Sequence, residues 1–470
     1  MLERKFSEQI VTFFQKQKSI TVDSAVGLNG RKIMLVNGAR QVGKSYIIRQ
    51  VGQKLFNHYI EIDLKADSEG ARDFERVRSV DDFYIKLGAL AGDRLSDRAG
   101  TLVFLDEIQA YPHLLTMLKF LNQDGRYTYI ASGSQLGVAL FNTPSVPLGS
   151  VEIQQMYPLD FEEFLWAMGC GKDVIELMEQ SYNKGERLSE SLHNYMMRMF
   201  RYYLLTGGMP DAVNQFVKDQ NMALIRTIQT NIHNLYAIDA SQYDVAHRLK
   251  IRRIYDMIPS NLENKKKRVI VKDIENKKGK QFSDYEEEFE YLVESGIALD
   301  VVAISNPHFP LYESVTKSLL KLYLNDVGIL TAMLYGNNID AILQDERSVN
   351  LGTVYESVVA QELHAHGNKL HYYDNKKKGE VDFLINDFNS LSVLPIEVKS
   401  GKNYKEHSAL THFISNSDYG IKNAIVLCNE REVQVKDGIT YLPIYYCMFI
   451  GIHTQQSINN LSIPPVPLYN

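Results

Sequence analysis

Residues 38–45 read Gly-Ala-Arg-Gln-Val-Gly-Lys-Ser and directly follow the apolar run Ile33, Met34, Leu35, Val36. This is a complete G-x-x-x-x-G-K-[ST] phosphate-binding loop, or Walker A motif, and it commits the chain to a strand, a tight glycine turn and a helix in that order. Gly38 and Gly43 let the backbone curl so that successive N–H groups point inward at phosphate oxygens. Lys44 then reaches the β- and γ-phosphates as a point charge. Ser45 offers a hydroxyl to Mg²⁺, and the helix expected over 46–56 aims the positive end of its dipole at the same anion. The spacing therefore predicts that Gly38, Ala39, Arg40, Gln41, Val42, Gly43, Lys44 and Ser45 hold a nucleoside triphosphate.

A second element agrees with the first. Residues 101–105 form an apolar strand ending in Asp106 and Glu107, the pattern of a Walker B strand. Asp106 would bind the Mg²⁺ shell through water, and Glu107 would polarise the water that attacks the γ-phosphate. The plainer alternative is an acidic pair that caps the next helix. Strand 127–132 leads into Gly133, Ser134 and Gln135, where Ser134 or Gln135 would touch the γ-phosphate, unless the segment is a simple turn. A further strand is expected over 59–64 and a helix over 81–91. Strands alternating with helices mean an α/β fold: a parallel sheet covered on both faces, with ligand chemistry at the C-terminal edge of its strands.

At 470 residues the chain exceeds one hydrophobic core, so three or four domains are expected. Cys170, Cys428 and Cys447 lie far apart without C-x-x-C spacing, which argues against zinc and against a disulfide framework. A soluble protein of a reducing cytoplasm fits, because the N-terminus lacks an apolar signal core and the longest apolar stretch, 444–452, is far short of a membrane span. A net charge of −6 leaves any nucleic-acid binding to local patches.

Downstream stands Tyr157-Pro-Leu-Asp-Phe-Glu-Glu-Phe164. Together with the loop, the Leu-Asp-Glu of the Walker B strand and the Gly133-Ser134 pair, this run resembles the AAA-14 family of prokaryotic ATP-binding proteins, which usually carry a DUF4143 domain. Gly207-Gly208-Met209-Pro210 resembles a turn of that family, and residues 320–330, Leu-Lys-Leu-Tyr-Leu-Asn-Asp-Val-Gly-Ile-Leu, resemble another of its segments. The resemblance implies ATP with Mg²⁺ as the bound nucleotide. One departure stands out: the family pattern has Gly-Arg where this chain has Gly149-Ser150. An arginine acting on γ-phosphate charge is worth roughly 10³- to 10⁵-fold in rate, so hydrolysis is less secure than binding. Arg40 and Arg126 are weak substitutes, Arg40 reading as a solvated or packing residue.

Residues 190–340 read as mostly helical. Helix 249–257, a short strand 269–271, helix 283–294 and strand 297–304 resemble a winged helix, with the basic cluster Lys265, Lys266, Lys267 and Arg268 nearby. Yet Asp284, Glu286, Glu287, Glu288 and Glu290 make the would-be recognition helix acidic, which favours structural or protein-contact use.

The C-terminal third carries a second constellation in the order αβββαβ: helix 354–364 with Glu356, strands 370–373, 381–385 and 394–398, helix 404–414 and strand 424–427. Gly379-Glu-Val-Asp382 with Ile396-Glu-Val-Lys399 is similar to the PD-(D/E)xK nuclease superfamily, a restriction-endonuclease-like fold, and the DUF4143 resemblance points the same way. Asp382 and Glu397 would hold Mg²⁺, Lys399 would orient the attacking water, and Glu356 would add a further acidic ligand. Lys376, Lys377, Lys378, Lys402 and Lys405 would neutralise phosphates. The competing reading is a surface ion-pair network.

The expected organisation is thus an ATPase domain over 1–165, a helical connector over 166–245, a winged-helix-like domain over 246–335 and a nuclease-like domain over 336–470. Three functions remain in play: an ATPase driving its C-terminal domains, a nucleotide-gated nuclease of DNA or RNA, or a slow nucleotide switch acting on a protein partner. Self-association is left open, no membrane partner is expected, and the proline-rich end reads as a frayed tail.

Overall fold

The structure, a computed structural model, describes residues 2–19, 31–95, 97–134, 136–137, 149–240, 247–275, 277, 279–311, 315–344, 351–375, 377–401 and 403–452. Gln135, Lys376, Lys402 and the proline-rich tail lie outside the described residues. Two compact units emerge: Met1–Ile175 with Arg198–Asp300 and Leu320–Val354, and Glu176–Met197 with Val301–Leu319 and Tyr355–Asn470. Among the described residues no helix is long and apolar enough to cross a membrane.

The first unit is built on five parallel strands, β1 (Ile33–Asn37), β2 (His58–Asp63), β3 (Thr101–Asp106), β4 (Thr128–Gly133) and β5 (Val151–Gln155), in the order β2-β3-β4-β1-β5. Every residue of β1 and β3 is buried, as an unbroken apolar run requires when helices cover both faces. Phe83, Leu87, Leu114 and Leu118, from helices Val80–Ala91 and Pro112–Asp124, pack with Leu35, Val103 and Leu105 of the sheet. Leu64, expected to end the second strand, instead opens helix Leu64–Glu69, because the Asp63 carboxylate accepts from Ala66 N and caps it. The insertion of β4 between β1 and β3 places the phosphate loop, Ser134 and the Asp106-Glu107 pair side by side at one edge of the sheet.

The three family-like runs meet in this unit. Asp160 and Glu163 form a reciprocal capping box on helix Phe161–Ala167, worth about 1 kcal/mol. Leu159 N donates to Gly208 O at 2.7 Å, and a Cβ at position 208 would collide with the Leu159 backbone. Gly208 N in turn donates to Asp326 Oδ2 at 2.6 Å, and Ile329 N to Asp326 Oδ1 at 2.9 Å, capping helix Val327–Tyr335. Full burial pushes the Asp326 carboxyl up to about 6, although backbone N–H donors pull it down. A carboxyl whose folded pKa is raised stabilises the fold only while protonated, so this contribution is present in acid and lost as pH rises through about 6. The loss amounts to roughly 3 kcal/mol. Urea unfolding followed by the fluorescence of Trp166, the sole tryptophan, should weaken across that interval in the wild type, and Asp326→Asn should flatten the slope. An unchanged slope would remove Asp326 as its source.

Helices dominate the middle of the unit, as expected, but two readings change. Residues 269–271 are not a strand: Val269 makes a single bond to Leu320 O and Val271 opens helix Val271–Glu275, which buries Ile274. Val269 N to Leu320 O is a lone cross-segment bond, and the Ile270 carbonyl accepts from Asp273 N at 2.9 Å, a local turn and not a ladder. The acidic helix Glu286–Glu294 turns Glu288 inward, where it accepts from Lys250 Nζ at 3.1 Å and faces His247 Nδ1 at 2.8 Å. That carboxylate secures the helix to Arg248–Glu263 and is not presented to solvent.

The second unit holds β8 (His371–Asn375), β9 (Gly379–Asp387), β10 (Ser392–Val398), β11 (Ala424–Cys428), β12 (Gln434–Lys436) and β13 (Ile439–Pro443) whole, with its share of β6 (Ala298–Ile304) and β7 (Val315–Leu324). The mixed sheet runs β12-β13-β11-β10-β9-β8-β6-β7. Helix Leu351–Ala365, β8, β9, β10, helix Ser408–Ile414 and β11 follow the expected αβββαβ order. The second helix begins four residues later than expected, since Tyr404 stands edge-on against Tyr441 instead of entering a helical turn.

Candidate nucleotide site and a second acid–lysine cluster

The loop at the end of β1 has the geometry its glycines demand. Gly43 sits at φ +97 immediately before helix Lys44–Leu55, and no side chain caps that helix nor does any acid occupy its first turn. Its leading N–H groups are left to an external anion. Gly38 is equally constrained, because a Cβ there would run into the Met156 carbonyl. Lys44, 5 % exposed, donates through Nζ to the Gly38 and Ala39 carbonyls, both at 2.9 Å. Burial pushes its ammonium below the usual lysine range, while Glu107 and Asp106 hold it up. Arg4, also buried, braces the loop from outside, with NH1 to Val42 O at 2.9 Å, NH2 to Tyr157 O at 2.6 Å, and Nε 3.1 Å from Glu163.

Across the sheet edge, Asp106 accepts from the Ser132 hydroxyl and is hydrogen-bonded to Ser45. Burial pushes its carboxyl upward against these two bonds. Two hard oxygen donors, the Ser45 hydroxyl and the Asp106 carboxylate, therefore adjoin one another beside Lys44, a set that fits Mg²⁺. Glu107 adopts φ +53 and its Oε2 accepts from Gln109 Nε2 and from Ser134 Oγ, the latter at 3.0 Å. Ser134 spends its hydroxyl proton on Glu107 and receives Gln109 Nε2 at 3.2 Å and Arg40 Nε at 3.4 Å, which uses the hydroxyl's full capacity. Of the two roles expected for Arg40, solvated or packing, the structure favours packing: its NH1 pairs with Asp239 at 2.5 Å.

Position 150 lies elsewhere. Ser150 O accepts from Ile33 N at 2.9 Å, at the start of β1, whereas the phosphate loop follows the end of that five-residue strand. The separation is about 16 Å, farther than a side chain at 150 can reach, so the Gly-Ser departure removes nothing from its own loop. Arg126 is also remote, stacking 4.3 Å over Tyr84 and pairing with Asp124 before β4.

In the second unit, Lys399 Nζ donates to Glu397 Oε1 at 2.7 Å, and Asp382 Oδ2 accepts from Val398 N at 2.8 Å, next to the Phe383–Ile396 pair of β9 and β10. Glu397 is 5 % exposed, and its Oε2 is buried with no hydrogen-bond partner. Burial, reinforced by Asp382 and more weakly by Glu356, pushes its carboxyl up to about 8 against the pull of Lys399. An orphaned buried carboxylate oxygen on a residue that feels the charge of a second acid fits a small cation. Among the described residues, however, no group of three or more His, Cys, Asp or Glu is arranged to hold a metal ion.

Residues 30–165 match the family profile for an AAA domain, AAA_14. The chain carries an AAA domain. A domain of unknown function, DUF8612, matches residues 197–340, and DUF4143, also of unknown function, matches 351–447, so the AAA-14 and DUF4143 pairing inferred from motifs holds. The uncharacterized protein MJ1544 of Methanocaldococcus jannaschii is 24% identical over 404 residues, covering 82% of this chain and 80% of that protein. Among solved structures, the Walker-type ATPase PABY2304 of Pyrococcus abyssi shares 14% identity at a TM-score of 0.40, covering 71% of this chain and 96% of its own. The Aeropyrum pernix ORC1 protein in complex with DNA shares 14% at 0.31, covering 73% and 94%.

The AAA domain brings Gly38 to Ser45, Asp106, Glu107 and Ser134 to one edge. Arg4, Gln109, Ser132 and Asp239 join them without having been expected. Gln109 alone left a trace, two residues past Glu107. Asp239 stands 199 residues from Arg40, a distance across which no sequence pattern speaks.

Proposed function

We propose that the AAA domain binds ATP with Mg²⁺ and hydrolyses it, passing its nucleotide state to the other domains of the chain. The observation that carries this is the Ser45–Asp106 hydrogen bond beside the buried Lys44 ammonium, a triphosphate cradle and a metal corner in one place. The loop and helix N–H groups would bind the phosphates, and Lys44 would neutralise the β and γ oxygens. Mg²⁺, held by Ser45 and Asp106, would withdraw charge from those oxygens. Glu107 accepts a proton from water as the water oxygen bonds to the γ-phosphorus. The bond from that phosphorus to the bridging oxygen breaks, its electron pair stays on ADP, and phosphate leaves. Equilibrium dialysis with labelled ATP and Mg²⁺ tests the reading. Lys44→Ala should weaken binding roughly ten- to a hundredfold, the worth of one buried charge-assisted contact, and a folded wild type without ATP affinity would end it.

A second reading is favoured by the unpartnered Glu397 oxygen: Asp382 and Glu397 hold Mg²⁺ while Lys399 orients water for phosphodiester cleavage of DNA or RNA, with Glu356 assisting from its helix. A slow switch acting on a protein partner is separated from both by tight ATP binding without turnover. The four-part division at 165, 245 and 335 is proposed with these readings, as is a reducing, cytoplasmic setting, supported by the wide sequence spacing of the three buried cysteines.

A further inference from the structure

Transfer of the γ-phosphoryl group concentrates negative charge on its oxygens, and a cation brought to them is a strong accelerator. Neither Ser150 nor Arg126 lies at the loop edge of the sheet. Arg40 does. It is the third residue of the loop, its Nε faces the Ser134 hydroxyl at 3.4 Å, and that hydroxyl donates to Glu107 at 3.0 Å. The guanidinium is thus one hydroxyl away from the carboxylate assigned to the attacking water.

We propose that Arg40 is a γ-phosphate-responsive catalytic residue supplied by the loop itself, exchanging Asp239 for the γ-phosphate when a triphosphate binds. The inference rests on the ATP reading above. Arg40 has two attachments to helix Met222–Ala240: NH1 to the Asp239 carboxylate at 2.5 Å, and its carbonyl, which accepts from Tyr236 OH at 2.7 Å. Only the first is ionic. Asp239 is 7 % exposed and is itself tied through its backbone carbonyl to Tyr291 OH at 3.2 Å. A γ-phosphate delivered to the loop offers the guanidinium a doubly charged anion with three oxygens in place of one carboxylate, and a planar fork suits both partners. ADP brings no γ-phosphate and leaves the Asp239 pair in place. The Tyr236 bond keeps the Arg40 backbone fixed during the exchange, so only the side chain need swing. Asp239 then becomes a carboxylate in a buried position without its cation, and the end of its helix registers which nucleotide is bound.

The test measures ATP and ADP dissociation constants with Mg²⁺, and turnover, in the full chain for wild type, Arg40→Ala, Arg40→Lys and Asp239→Asn, with Trp166 fluorescence verifying the fold. Arg40→Ala should leave ADP affinity within about threefold, weaken ATP at least tenfold, and slow turnover by about 10³-fold. Arg40→Lys should restore ATP affinity in part and turnover less, because a point charge cannot reproduce the fork. Asp239→Asn should tighten ATP relative to ADP by freeing the guanidinium. Equal losses for ATP and ADP in Arg40→Ala, or turnover within threefold of wild type, would overturn the proposal and leave the ATP reading standing. A folded wild type that binds neither nucleotide would fell both together.

Discussion

Glu107→Gln should still bind ATP and should turn it over roughly 10² to 10⁴ times more slowly, the usual worth of a general base. The amide keeps the shape of the carboxylate and can accept from Ser134 and Gln109, so the turn at φ +53 and the neighbouring loop are preserved. What it cannot do is take a proton from water. The contrast with Lys44→Ala is diagnostic, since that change removes the ammonium from the cradle and weakens the ground-state complex itself. Single-turnover hydrolysis with saturating ATP separates the two. Wild-type-like turnover in Glu107→Gln would demote Glu107 to a residue of the turn before Ile108–Ala110, a segment its side chain does not cap although its sequence position allowed it.

Lys399→Ala should abolish any Mg²⁺-dependent nicking of DNA or RNA, by about 10² or more if Lys399 orients the attacking water. The expectation is sharper than a lost contact. Glu397 is already driven upward by burial and by Asp382, and Lys399 is the ammonium that pulls it back down. Without that ammonium the carboxyl would rise further and a metal would have to displace a more firmly held proton, so the variant loses metal affinity along with the water-orienting group. Nicking that disappears in both Lys399→Ala and Asp382→Ala, while ATP hydrolysis continues, would place the two activities in separate sites. Nicking equal in wild type and both variants would point to a contaminant and remove the second reading.

Much of this was legible beforehand because the signals were local. A glycine-lysine loop after an apolar strand, an acidic pair ending another, and D, E-x-K on adjacent strands each span fewer than twenty residues, and their backbone consequences are dictated within that span. The structure added what depends on long-range closure. Asp326, Gly208 and Leu159 come from three distant runs, and only the fold reveals that the similar segments meet through one buried carboxylate. For Arg40 the sequence leaves solvated and packing roles undivided, because its partner, Asp239, is invisible in the neighbouring residues. The Gly149-Ser150 departure looked costly because sequence order does not tell which edge of a sheet a residue occupies. The short strand over 269–271 fails for the opposite reason: its apolar pattern is real, but Ile270 turns its carbonyl to Asp273 N and Val271 opens a helix, so the segment curls locally and does not pair.

The backbone of Glu107 lies in a region that a side chain occupies at an expense of about 1 kcal/mol or more, and that glycine occupies freely. Any drift toward a sturdier fold would therefore press on this position first, rewarding replacements that relax the turn and erase the carboxylate. A lineage keeping glutamate here is retaining a slightly uncomfortable bend for the sake of chemistry, and a thermally hardened descendant would be the first place to look for its loss.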